Sequence, residues 1–174
     1  MLAYFLILLG ALLRVAPHAA NFVPIAAMGL FGGTYLNKKY ALVVPIAAMV
    51  VSDFFIGFDS IASRAVVYGS FLAAGLIGLW LRNHKNIYTV VGASLASSVI
   101  FFLVTNLPFV HGASLYPLTL EGTIISYTNA LPFFRNTLLG DLFYTSVFFG
   151  AFELVAAWKT RKFSLHADQS KSTS

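Results

Sequence analysis

The sequence has no cysteine in its 174 residues, which excludes disulfides, thiolate nucleophiles and cysteine-ligated metals. Charge is nearly as scarce. Asp, Glu, Lys and Arg make up 10% of the chain, against roughly 25% in an average soluble domain. Hydrophobic residues reach 59% and mean hydropathy is +0.82. A soluble fold of this size could not cover its surface with so few charges, so the main solvent is the lipid bilayer. Disorder, collagen, coiled coil and a disulfide scaffold are excluded by the same figures. The net charge of +5 comes from eleven basic and six acidic residues. The basic ones are scattered at segment ends, which suits membrane topology and not nucleic-acid binding. No GxxxxGK[ST] occurs, so the chain has no P-loop for ATP. HExxH, GxSxG and SxxK are absent too, and nothing implies a cofactor.

What is present is a set of apolar runs. A helix needs about 20 mostly apolar residues to cross roughly 30 Å of hydrocarbon. Six segments qualify or nearly do: about Leu2 to Ala16, Phe22 to Leu36, Tyr40 to Phe58, Ile61 to Leu81, Asn86 to Asn106 and Pro132 to Trp158. The predicted fold is an all-α integral membrane bundle of six transmembrane helices, one domain over residues 1–160, followed by a polar cytoplasmic tail at 161–174. Reading residues 1–20 as a cleaved signal peptide is the alternative at the N-terminus, with Ala16, Ala19 and Ala20 near the cleavage site. That segment lacks a basic n-region, since Arg14 follows its apolar stretch. Lys38 and Lys39, Arg82 and Lys85, and Lys159, Arg161 and Lys162 fall on one side of a six-span chain. They place both termini in the cytoplasm of a multi-pass inner-membrane protein. Gly29 with Gly33, Ala65 with Gly69 and Ala73, and Ala74 with Gly78 are spaced for close helix approach.

The opposite side carries different residues. Arg14, His18 and Asn21 sit in its first connection, with Asp53, Asp59 and Arg64 around the second. The third runs from about Leu107 to Leu131 and leads from Asn106 to Arg135, Asn136 and Asp141. At 1.5 Å of rise per residue, Asp53 lies roughly 8 Å and Asp141 roughly 13 Å below the outer helix ends. Ionised groups at such depth are paired or face water, so each is either a structural ion pair or a pocket residue. Thr137, Asp141, Tyr144 and Thr145 share one helix face. His18 and His111 lack metal spacing, and hydrogen bonding is the simpler role for each. Glu153 is expected to pair with Lys159 at the inner end. Thr119 to Asn129 is expected to form a short lid helix over the pocket, separate from the last span.

The stretch from Arg14 to Gly33 (RVAPHAANFVPIAAMGLFGG) resembles the first signature of a bacterial family of transport-type proteins of unknown function. Pro45 to Gly57 (PIAAMVVSDFFIG), Thr105-Asn106, Tyr116-Pro117 and Ala130 to Tyr144 (ALPFFRNTLLGDLFY) extend the resemblance over about residues 1–158. That family is similar to the substrate-binding S components of energy-coupling-factor (ECF) transporters. The resemblance implies a six-helix S-component-like fold, uptake of a vitamin or related metabolite, and as partners a membrane coupling protein with two cytoplasmic ATPases. The Ala-x-x-x-Ala pair by which S components dock departs from the pattern, because Ala16 and Ala20 straddle Pro17 at the outer end of the first segment.

The expected function is therefore capture of a small-molecule substrate in an outward-facing polar pocket, without covalent catalysis. The expected lining is Arg14, His18, Asn21, Asp53, Arg64, Asn106, Arg135, Asn136 and Asp141, the arginines holding an anionic or carbonyl-bearing group. One alternative is a structural partner in a membrane complex, which would need no enclosed outer cavity. Another is an intramembrane aspartyl protease, in which Asp53 and Asp141 would share a proton.

Overall fold

The computed structural model describes residues 1–112 and 115–172, with side chains described as far as Arg161. The described residues form seven helices and no strand: α1 (Leu2–Val15), α2 (Ile25–Tyr35), α3 (Val43–Ile56), α4 (Ile61–His84), α5 (Ile87–Thr105), α6 (Pro108–His111) and α7 (Leu120–Ser172). Among the described residues three stretches are long and apolar enough to cross a membrane: α4 with 24 residues, α5 with 19, and Leu120–Arg161 of α7 with 42. The first three helices are equally apolar but have 14, 11 and 14 residues, hence lengths of roughly 16–21 Å.

Local chemistry sets most helix ends. Ala16, ahead of Pro17, is extended at ψ 152°, as the proline ring requires of its neighbour. Ser60 accepts from the Ser63 N–H to start α4, and Asn86 and Thr89 form a reciprocal capping box at the start of α5. Pro45 falls in the first turn of α3, where its missing N–H has no helical partner to lose.

Pro132 behaves otherwise and corrects the sequence expectation. The helix runs through it, so the expected lid helix and last span are one continuous α7. A proline inside a helix costs about 3 kcal/mol, but here both flanks are held against α5. The Ser126 hydroxyl donates to the Asn106 carbonyl at 2.8 Å, Tyr127 donates to Leu103, and Phe134 packs on Phe102 with ring centroids 4.3 Å apart. Within the expected 107–131 connection, residues 113–114 lie outside the described residues. In the expected tail the backbone stays helical to Ser172, and residues 173–174 lie outside.

The short α2 is the centre of the bundle. Every residue from Ala26 to Thr34 is buried, so its ends stop inside protein and their backbone groups need partners there. Its C-terminal end receives a charge that suits the helix dipole. At the C-terminal end, Arg82 donates from Nε to the Gly33 carbonyl at 2.7 Å and from Nη2 to that of Leu36. At the N-terminal end, Ile25 and Ala26 border a cleft together with Asp141 of α7. Phe31 is fully buried among Tyr35, Phe148, Phe149 and Phe152.

Arg82, Lys85, Glu153 and the end of α2 gather at one end of the bundle. There Lys85 and the Tyr35 hydroxyl both bond Glu153. Lys85, not Lys159, is thus the partner of Glu153. Six residues turn a helix through about 240°, which carries Lys159 round to another face. Of the small-residue sets, Gly29, Gly33, Ala74 and Gly78 lie at the α2–α4 crossing, whereas Gly69 faces open space.

Candidate functional site

The end of the bundle opposite the lysines contains a chamber of about 360 Å³ between α4, α5, α6 and α7. Its polar wall includes Asn21, Ser63, Asn106 and Thr137, and its apolar wall Phe101, Phe102, Phe133 and Phe134. A cleft of about 70 Å³ adjoins it and shares Asn21, Phe101 and Thr137 as boundary. The cleft ends on Asp141, Ser97 and Ser70 beside the first turn of α2.

Helix register explains the polar floor of the cleft. α5 and α7 run antiparallel, so Ser98 and Ser94, one turn apart, meet Asp141 and Thr145, also one turn apart. Ser98 Oγ donates to Asp141 at 2.6 Å and Thr145 to Ser94 at 3.3 Å. Asp141 is only 3% exposed. With Ser98 as donor it is a hydrogen-bonded buried carboxylate rather than an ion-paired one. Ser97, also 3% exposed, has no hydrogen-bond partner for its hydroxyl among the described residues. A buried unsatisfied hydroxyl is costly, and this one borders a cavity.

A second polar cluster lies between α1, α3 and α4. Arg14 Nη1 pairs with Asp53 and also donates to Ser52 and, at 3.4 Å, to the Met49 carbonyl. The other Asp53 oxygen accepts from the Tyr68 hydroxyl. Arg14 and Asp53 border a separate cavity of about 280 Å³ together with Asp59 and Arg64. Arg64 stacks its guanidinium over Phe58 at 4.8 Å, and its buried Nε has no hydrogen-bond partner among the described residues.

The nine expected lining residues thus divide. Asn21, Asn106 and Asp141 border the chamber and its cleft; Arg14, Asp53 and Arg64 border the other cavity. Three border neither. His18 is exposed and reaches the carbonyls of Arg14 and Ala19 at 3.1 and 3.0 Å, closing the end of α1. Asn136 donates to the Ala20 carbonyl at 3.0 Å and pins the α1–α2 connection to α7. Arg135 is exposed and has no partner among the described residues. It bonds neither carboxylate, and replacing it by Gln is expected to change detergent thermal stability by no more than about 0.5 kcal/mol, the usual range for such surface positions. A loss above 2 kcal/mol would show a partner that this geometry excludes.

Asp53 and Asp141 occupy separate clusters with separate donors, so they do not form one proton-sharing pair. Among the described residues no group of three His, Asp or Glu is placed to hold a metal. The family profile that matches the chain covers residues 1–165, which contain both clusters. The chain belongs to the family of unknown function DUF6580. No curated protein and no solved structure matches it. This DUF6580 chain also uses residues that the sequence analysis passed over: Tyr68, Ser97 and Ser98. The serines had a readable signal, since Ser94, Ser97 and Ser98 recur at helical spacing in an otherwise apolar helix.

Proposed function

We propose that the chain is the substrate-binding membrane component of a small-molecule uptake system, with the chamber under α6 and α7 as its binding pocket. The observation that carries this reading is the pairing of a chamber of about 360 Å³ with a polar cleft ending on a buried carboxylate and an unsatisfied serine. Its volume lies in the range of small-molecule sites, which join apolar walls to a few placed polar groups. In this reading α1, α2 and α3 complete a six-span bundle of the ECF S-component type, their shortness met by local bilayer thinning. The lysine-rich end, with both termini, faces the cytoplasm of the inner membrane by the positive-inside rule, and the chamber opens outward. A vitamin or related metabolite is captured there. A membrane coupling protein and cytoplasmic ATPases supply the energy, since the chain carries no P-loop of its own. The separate partner sets of Asp53 and Asp141 speak against the protease alternative, and a chamber with a polar wall and an adjoining cleft speaks against a purely structural partner.

A thermal-shift screen of vitamins and related metabolites on the purified chain in detergent tests the reading. At least one compound is expected to stabilise the chain, and the effect is expected to vanish in Asn129→Trp, which fills the chamber wall from an exposed position. If no compound stabilises it, or if stabilisation persists in Asn129→Trp, the chamber is not a binding pocket.

A further inference from the structure

The charges around the chamber narrow what it can hold. Among the described residues no Lys or Arg borders the chamber or its cleft, and Asp141 is the one carboxylate in either wall. Arg14 and Arg64 lie on the other cavity, with Arg14 already paired to Asp53. His111 borders the chamber but not the cleft, and the first turn of α2 meets the cleft beside Asp141. An anion entering the cleft would lose its hydration with no cation to replace it, next to a carboxylate.

The same walls favour the opposite chemistry. Asp141 and the unpartnered Ser97 hydroxyl offer acceptor oxygens at the closed end. Phe101, Phe102, Phe133 and Phe134 border the wider part, where aromatic faces suit flat rings and cations. We infer that the substrate is a flat, uncharged or cationic molecule that presents N–H or O–H donors to Asp141 and Ser97, and is not an anion. This rests on the binding reading above, and it replaces the expectation that arginines hold an anionic group.

Three pyridines of one shape and different charge test it on the full chain in detergent: 4-aminopyridinium, isonicotinamide and isonicotinate. Binding of all three is measured by calorimetry at pH 8. The cation and the amide are expected to bind at least tenfold more tightly than the carboxylate. Asp141→Asn is expected to abolish the advantage of the cation over the amide. Ser97→Ala is expected to weaken the amide at least threefold while leaving the unliganded chain as stable or more stable, because it removes an unsatisfied hydroxyl. A merely structural serine would not separate those two readouts. Isonicotinate binding as tightly as the amide, an unchanged order in Asp141→Asn, or no binding by any of the three would overturn the inference. The metabolite screen separates its failure from that of the binding reading. An anionic metabolite whose binding is lost in Asn129→Trp would overturn the substrate class alone, whereas silence in both experiments would overturn both.

Discussion

Arg14→Gln is expected to destabilise the chain by about 3–5 kcal/mol, the loss seen when one partner of a buried ion pair is removed. Arg14 and Asp53 side chains are 12% and 7% exposed. The pair joins α1 to α3, and the Tyr68 hydroxyl on the same carboxylate extends the tie to α4. Without Arg14 the Asp53 carboxylate, 7% exposed, keeps one donor, Tyr68. Glutamine retains length and a hydrogen-bonding end but no charge. Neutralising the stranded carboxylate should therefore restore most of the loss, so Arg14→Gln with Asp53→Asn is expected to lie closer to the parent than Arg14→Gln alone. Denaturation in detergent of the two single variants and the double variant checks this, because contacting charges are expected to be non-additive. A single variant within 1 kcal/mol of the parent, or a double variant with the sum of both losses, would show that the pair does not hold the helices together.

The helices were legible in the sequence where apolar length and local capping agree. α4 and α5 fall within a few residues of the expected segments because their apolar runs are long enough to span a bilayer, and the Ser60 and Asn86 caps fix where they start. α7 was misjudged at Pro132, where long-range packing of Tyr127 and Phe134 on α5 overrides a local break. The polar end of the bundle was legible for a different reason. Ionisable residues are costly in an apolar chain, so Arg14, Asp53 and Asp141 stand out one by one. Which of them belong together was not legible. Arg14 and Asp53 are 39 residues apart and Ser98 and Asp141 are 43 apart, and only the helix packing decides that Asp141 meets serines and not an arginine. Serines carry no charge to attract notice, and so the α5 stripe escaped although its spacing was regular.

The largest effect away from the polar clusters is expected at the α2–α4 crossing. A Cβ built on Gly78 would stand 2.3 Å from the Leu30 carbonyl oxygen, and one on Gly33 would stand 2.3 Å from that of Gly75. These are contacts with backbone, so no rotamer change relieves them, and the helices must move apart. Separation would also stretch the bonds that cross here: Thr34 to the Gly78 carbonyl at 3.1 Å and Arg82 to the Gly33 carbonyl at 2.7 Å. Because α2 is buried along nearly its whole length and its N-terminal end borders the cleft, the disturbance would reach the candidate site as well. Gly78→Ala is expected to cost at least about 1–3 kcal/mol, the usual range for overpacking, and Gly78→Leu to prevent recovery of folded protein. Gly69, on the same helix, is the control. Nothing lies within 4 Å of its Cβ position, so Gly69→Ala is expected to be neutral or to stabilise by about 0.5–1 kcal/mol through helix propensity. Thermal unfolding of the two alanine variants side by side decides the matter. Equal stability of Gly78→Ala and Gly69→Ala would mean that α2 and α4 do not approach backbone to backbone, and the placement of Asp141 at the N-terminus of α2 would lose its support.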